Sequence, residues 1–354
     1  MATGWPMKTT YANGDVYSAS DVNDITGTIN LLGSSVAYTA GKNKIINGNF
    51  NIWQRGTTFT PSSTGYFYTA DRWVSYCYSA STNTVSQQAF TVGTAPATPY
   101  ESQYFIRVNS TNTLNLLEQR IEDVRNFANQ NVTISFWAKS ASAQTITIYL
   151  SQVFGSGGSA GVDTSSTKAI TTSWARYSVT LTMPSISGKT IGTGSYLANT
   201  FTGAINNALD IWGVQVEQGS TATAFQTATG TIQGELAACQ RYYFRKSIIN
   251  GGATKTVFGQ GWAFSANGAD ILVPLPVPMR TTPTAIEYSA LGDFYVEGAS
   301  IFSALTAITV DTNISNSWIT NASVTKTGAF TSGGTYVLLA QSTSNAYLGW
   351  SAEL

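Results

Sequence analysis

Two hydrophobic periods divide the chain. Between residues 18 and 36, in SASDVNDITGTINLLGSSV, Val22, Ile25, Ile29, Leu32 and Val36 recur at alternating steps of three and four, the spacing of an a/d seam. Ser18 or Ser20 can cap the first turn and Asp21 suits its positive end, while Gly33 and the serines after it offer an exit. The spacing therefore predicts a short helix. Valine and isoleucine at a, with isoleucine and leucine at d, suit a three-stranded bundle; the alternative is an amphipathic helix lying on its own domain. Gly27, inside the seam, weakens such a helix by about 1 kcal/mol relative to alanine, so the helix would depend on its contacts.

From about residue 44 the period falls to two. Ile134 and Phe136 alternate with Thr133, Ser135 and Trp137, and Ile146, Ile148 and Leu150 alternate with Thr145, Thr147 and Tyr149. Tyr177, Val179 and Leu181 alternate with Arg176, Ser178 and Thr180, and Trp212, Val214 and Val216 read as one more strand of this kind. Half-buried strands separated by turn signals, such as GSGGSAG at 155–161 and SISGK near Gly188, predict a β-sandwich over residues 44–228. Thr231 to Lys246 then read as a helix with Ile232, Leu236, Cys239 and Tyr243 on one face, giving a linking helix within residues 229–246. Residues 247–354 return to strand-like patterning in TVFGQGWAF, ILVPLPV and TYVLLA, a second β domain. Pro274, Pro276 and Pro278 share one parity there, which suits an edge strand or an extended arm. The fold class is thus mainly β, with residues 1–43 set apart as a docking and oligomerisation segment.

Composition narrows the function. Of 354 residues only 10% are charged, against roughly a quarter in ordinary domains, so neutral polar groups must carry solubility. Lys plus Arg and Asp plus Glu both number 18, which leaves no field for phosphate and argues against a nucleic-acid partner. Near-zero net charge also favours self-association. The chain has no histidine, which excludes serine-histidine and cysteine-histidine hydrolases and every histidine metal site. Cys77 and Cys239 are too few for a disulfide framework or a four-cysteine zinc site and read as buried thiols, one long-range disulfide being the alternative. No signal peptide or membrane-length apolar run is visible, so synthesis in a cytoplasm and no membrane insertion are expected. Glu122 and Asp123 are adjacent and would point to opposite faces of a strand, so they make no acid/base pair. Pairings of Glu287 with Asp293 or Glu297 stay open, but nothing favours them. No enzymatic activity is expected.

Residues 44–73, KIINGNFNIWQRGTTFTPSSTGYFYTADRW, carry the elements INGNF, IWQRG and YTADRW. This stretch resembles the opening of a sandwich module recurrent in bacteriophage tail-fibre and other virion surface proteins. QRIEDVRNFANQNVTISFWAKS, LDIWGVQVEQGSTATAF, ELAACQRYYFR and VPMRTTPT follow in the same order, so the resemblance spans most of residues 44–285. The module is similar to the carbohydrate-binding jelly rolls attached to polysaccharide-degrading enzymes. The resemblance implies a jelly-roll sandwich, host-glycan contact without catalysis or cofactor, a homotrimer, and a place on the virion surface. GDVYSASDVNDITGTIN also looks like the entry segments through which phage fibres meet other virion proteins. Relatives of the module hold a structural calcium with asparagine, aspartate and backbone oxygens, which would make Asn47, Asn49 and Asp210 its ligands.

Two residue sets are candidates for sugar contact. Trp53, Arg55, Tyr68, Asp71, Arg72 and Trp73 could form a platform of aromatic faces and hydrogen-bonding side chains, although their strand-like contexts favour a structural role. Gln119, Arg120 and Glu122, with Gln215 and Glu217, alternate with apolar residues and are expected to share strand faces, as a glycan-lined surface or as a solvated or subunit-facing one. The leading expectation is a tail-fibre or spike subunit that attaches to the host surface. A capsid decoration or head-fibre protein is the runner-up, and a polysaccharide depolymerase is disfavoured.

Overall fold

The computed structural model describes residues 41–77, 83–97, 101–110, 115–203, 208–248, 255–298, 301–303, 305–341 and 345–354. The expected helical seam of Val22, Ile25, Ile29, Leu32 and Val36 lies outside the described residues.

Alternating residues in the first half build a two-sheet jelly-roll sandwich. The strands are β1 (Thr58–Phe59), β2 (Gly65–Tyr68), β3 (Trp73–Cys77), β4 (Asn83–Ala89), β5 (Tyr104–Ser110), β6 (Asn115–Glu122), β7 (Asn131–Ser140), β8 (Gln144–Val153), β9 (Val162–Ile170), β10 (Ala175–Thr182), β11 (Tyr196–Gly203) and β12 (Leu209–Gln218). The first sheet runs β1-β4-β5-β12-β7-β10 and the second β2-β3-β6-β11-β8-β9. Every pairing is antiparallel, and the chain repeatedly crosses between the sheets as it advances. Between them lie Trp73, Phe136, Ile146, Ile148, Leu150, Leu197, Phe201 and Val214, all buried.

Strand β12 departs from simple alternation. Its pairing with β7 shifts between Trp212 and Gln215, and Gly213 there takes φ 64°. A Cβ at Gly213 would meet the Trp137 ring at 2.8 Å. This bulge lets Trp212 join Phe105, Trp137 and Phe225 in a cluster outside the first sheet, while Val214 and Val216 face the core. Trp212, Val214 and Val216 therefore do not share a face, contrary to the sequence pattern.

Helix α1 spans Ile232–Gln240, with Thr231 at its N-cap accepting from Gly234 N at 3.1 Å. It is shorter than the sequence suggests, because Tyr243–Ser247 pair with another strand instead. Its buried residues are Glu235 and Cys239, whereas Ile232 and Leu236 are exposed, so the expected apolar face is corrected.

The remainder forms a second β unit from β13 (Tyr243–Ser247), β14 (Lys255–Ser265), β15 (Gly268–Pro274), β16 (Ile286–Tyr288), β17 (Phe294–Glu297), β18 (Ile301–Ser303), β19 (Ala307–Thr309), β20 (Ile319–Thr325), β21 (Thr335–Gln341) and β22 (Tyr347–Ser351). A three-stranded sheet, β13-β22-β16, faces a seven-stranded one, β18-β17-β21-β14-β15-β20-β19. Phe258, Ile271, Phe294, Leu338, Leu348 and Trp350 share their core. The proline-bearing segment is neither edge nor arm: β15 pairs with β14 on one side and β20 on the other, and Pro274 is its last residue. The missing N–H groups of Pro276 and Pro278 fall beyond the ladder, where they cost no pairing. Among the described residues no helix is long and apolar enough to cross a membrane.

Candidate functional site

The motif residues build the junction between the two β units. Asn47 takes φ 56°, a left-handed conformation that asparagine tolerates. Its Oδ1 accepts from Ile52 N at 3.0 Å, and its Nδ2 donates to the carbonyls of Ile52 and Asp71. Its backbone N–H donates to the buried Glu235 carboxylate at 2.7 Å, which ties the turn to α1. A Cβ on Gly48 would lie 2.2 Å from the Val214 carbonyl oxygen, so the INGNF turn presses backbone to backbone against β12.

IWQRG and YTADRW meet the start of β13 and the residues that follow β22. Arg55 stacks on Tyr243 at 3.4 Å and Tyr68 at 4.7 Å, and pairs with Glu353 at 3.4 Å. Arg72, itself in the left-handed region at φ 73°, lies over Tyr242 at 3.4 Å and pairs with the same Glu353 carboxylate. Asp71 accepts from the backbone and side chain of Gln54, and Gln54 donates onward to the Tyr243 carbonyl at 2.8 Å. Burial pushes the Asp71 carboxyl up to about 6, against the lowering pull of the Gln54 hydrogen bonds. Burial, and then the nearby Glu353 charge, push the Tyr68 hydroxyl up to about 12, and it donates to the Leu354 carbonyl at 3.1 Å. Trp53 Nε1 donates to Phe50 O at 2.6 Å, and Trp73 is fully buried. These residues are thus structural, and Trp53, Arg55 and Tyr68 do not form a sugar platform.

The other expected residues divide. Gln119 and Arg120 are adjacent on β6 and face opposite ways. Gln119 is buried and bridges Ile46 N and O, so it is not on a glycan face. Glu122 points outward but binds Arg241 beside α1, with both oxygens at 3.2 Å. Gln215 and Glu217 are buried under residues 223–226: Gln215 accepts from Gln226 N, and Glu217 from Thr223 N and Oγ1. They pin that segment to the first sheet and are removed from the glycan set. The expected calcium ligands do not assemble either. Both Asp210 oxygens accept from Arg107, at 2.6 and 2.8 Å, on the outer face of the first sheet, while Asn47 Oδ1 is taken by Ile52 N.

Arg120 leads to a surface that sequence reasoning did not assemble. Cross-strand partners point to the same side of a sheet, and register places Val74, Glu118, Thr200, Tyr149 and Ser165 in one row on the side of the second sheet away from the core, where Ser165 is exposed and Tyr149 half-buried while Val74, Glu118 and Thr200 are buried. The next row holds Tyr66, Tyr76, Leu116, Thr202, Thr147 and Thr167; on the other side Arg120, Ala198, Ser151 and Asp163 line up, with Tyr196 beyond. Tyr66 is 58% exposed and meets Tyr76 edge-on at 4.7 Å, while Tyr149 and Tyr196 are half-buried. At the centre Arg120 Nε donates to Glu118 Oε1 at 2.8 Å, and Thr200 donates to Glu118 Oε2 at 3.0 Å. The Arg120 guanidinium lies 5.5 Å from the Tyr66 ring and 5.0 Å from that of Tyr196, and also donates to the Leu354 carbonyl. Burial works to lower its pKa, but the Glu118 hydrogen bond and charge prevail and hold it above its ordinary value. Tyrosine rings and the accessible hydroxyls of Thr147, Ser151, Ser165, Thr167 and Thr202, over a buried and internally neutralised Glu118 centre, make a surface suited to neutral polyhydroxylated ligands. The legible signal was the alternation of Thr147, Tyr149 and Ser151 on β8; joining it to Tyr66 and Tyr196 needs the register.

No protein-family model matches this chain, and neither does any curated protein. Among solved structures it is similar to the CBM22-1 xylan-binding domain of Paenibacillus barcinonensis Xyn10C, with 13% identity, 52% of this chain and 99% of that chain covered, and a TM-score of 0.32. It is also similar to the C-terminal family 22 carbohydrate-binding module of Clostridium thermocellum Xyn10B, with 18% identity over 46% of this chain and 99% of that one, at a TM-score of 0.30. A third is the enzymatically active domain of bacteriophage CBA120 tailspike protein 4, with 13% identity over 50% of this chain and a TM-score of 0.30; the match spans only 22% of that domain.

Proposed function

We propose that this chain is a non-catalytic, homotrimeric subunit of a phage tail fibre or spike, and that the outer face of its second sandwich sheet holds a neutral glycan of the host surface. The observation that carries the binding reading is that face itself: Tyr66, Tyr76, Tyr149 and Tyr196 set among serine and threonine hydroxyls around a closed Glu118–Arg120–Thr200 network. The virion setting draws support from the INGNF, IWQRG and YTADRW elements and from the chain's low charged content and zero net charge.

Affinity electrophoresis in gels containing host polysaccharide tests the binding. Retardation is expected, and Tyr66→Ala and Tyr149→Ala are each expected to weaken it about tenfold, the equivalent of 1.4 kcal/mol. Unchanged retardation in both folded variants refutes the tyrosine face. The same incubation should release no reducing ends, and their appearance would make the protein a depolymerase. Antibody labelling of intact particles decides between the tail and the capsid decoration reading: label confined to the capsid overturns the fibre assignment.

A further inference from the structure

A pocket of about 740 Å³ forms where β13, the start of β14 and the end of β15 come together, remote in sequence from the tyrosine face and lined in part by Phe244, Lys246, Val257, Pro274, Leu275 and Pro276. Its size falls within the roughly 300–1,000 Å³ of small-ligand sites. Lys246 lies in β13 with its side chain on the same face as Phe244, which stacks on Trp350 at a centroid distance of 6.0 Å. Its ammonium donates to the Phe258 carbonyl at 3.0 Å. An ammonium has three donors. Among the described residues no carboxylate pairs with Lys246, and burial lowers its pKa.

The neighbouring cations are engaged elsewhere. Lys255 at the rim pairs with Glu297 at 2.8 Å. Arg245 contributes to the lining, but its guanidinium lies on the opposite face of β13, donating to the carbonyls of Gln54 and Arg55 and stacked over Tyr347 at 3.3 Å. The cavity therefore offers one half-buried point charge with donors to spare. It has no arginine fork of the kind that grips a dianionic phosphate, so a monoanionic carboxylate fits it better. Pro274, Pro276 and the 52%-exposed Val257 supply apolar surface beside that charge, which matches the C–H faces of a pyranose.

We infer that this cavity is a second binding site, specific for a carboxylated saccharide such as a hexuronate, whose carboxylate pairs with Lys246 while the sugar ring lies along Pro274, Pro276 and Val257. The site stands independently of the tyrosine face. Calorimetric titration of the full chain with glucuronate, glucose, acetate and inorganic phosphate tests it, and a uronate-terminated oligosaccharide distinguishes a free sugar acid from a polysaccharide end as the source. Glucuronate is expected to bind at least tenfold more tightly than glucose, acetate or phosphate. Lys246→Met is expected to abolish that preference, and Tyr66→Ala to leave it intact. Lys246→Gln, which can still donate to the Phe258 carbonyl, serves if the methionine variant does not fold. No glucuronate binding by the wild-type protein, equal binding of glucose, tighter binding of phosphate, or an undiminished preference in a folded Lys246 variant each overturns the proposal. Loss of neutral-glycan retardation in Tyr66→Ala with the glucuronate preference kept would separate the two sites.

Discussion

Asn47, Gly48 and Asp71 show what single residues in the motif do. Gly48 is required by a carbonyl 2.2 Å from where its Cβ would stand, so Gly48→Ala must move the turn away from β12. A loss of about 1–3 kcal/mol, the usual cost of overpacking, is expected in urea unfolding. Asp71 carries a pH signature. Its folded-state pKa of about 6 lies above the ordinary 3.8, so its contribution to stability is present in full below pH 3.8 and is lost as pH rises through about 6. At 1.36 kcal/mol per unit the swing is on the order of 3 kcal/mol. Asp71→Asn removes the swing, and its stability relative to wild type should climb between pH 4 and 7. A difference that stays flat across that range would mean Asp71 does not titrate there. The sequence displayed these residues as a motif, but not their purpose: Arg55 and Arg72 could equally have faced a sugar, and only their shared partner Glu353, 298 and 281 positions later, decides against it.

Among the elements, those with clean period-two alternation were the legible ones. Strands β8 and β10 fall where Ile148 and Val179 alternate with polar residues, because one face of each meets the core; β7 keeps the alternation of Ile134 and Phe136, but its other face is covered too, with Thr133, Ser135 and Trp137 buried. Three misreadings share one cause, which is that tertiary pairing overrides local pattern. Residues Tyr243–Ser247 carry a helix-compatible pattern yet pair with β22; β12 hides a bulge at Gly213; and the prolines after β15 mark the end of an interior strand. The β13–β22 pairing also brings Glu353 between Arg55 and Arg72, where its side chain is only 4% exposed. Arg280 clasps the same segment by donating to the carbonyls of Ala352 and Glu353. Glu353→Ala would leave two largely buried guanidiniums without their carboxylate, a change that typically costs about 3–5 kcal/mol. Denaturant unfolding is expected to show that loss and to separate the melting of the sandwich from that of the second β unit. A single transition at an unchanged midpoint would mean the pair contributes nothing to their coupling.

At the scale of the whole molecule, Cys77 and Cys239 are both buried and not bridged to each other, so melting in strong reductant should match melting without it. Burial also pushes the Cys239 thiol well above its ordinary pKa, which makes it a poor nucleophile in the folded state. The proposed trimer rests on another part of the chain, the seam of Val22, Ile25, Ile29, Leu32 and Val36. The seam spans only 15 positions from Val22 to Val36 with Gly27 inside it, close to the length below which isolated helices are marginal in water, so a helix there would depend on its contacts. Each apolar side chain buried against partner copies contributes on the order of 1.5–3 kcal/mol, so association and helix formation would be one event. Ile25→Asp with Ile29→Asp places like charges along the shared axis and should dissociate the trimer while leaving both β units folded. Sedimentation velocity reads the result directly. A wild-type monomer ends the trimer proposal, and an intact trimer of the double variant transfers the assembly from the seam to the β units, whose exposed Trp262 and Phe264 would then be the residues to substitute next.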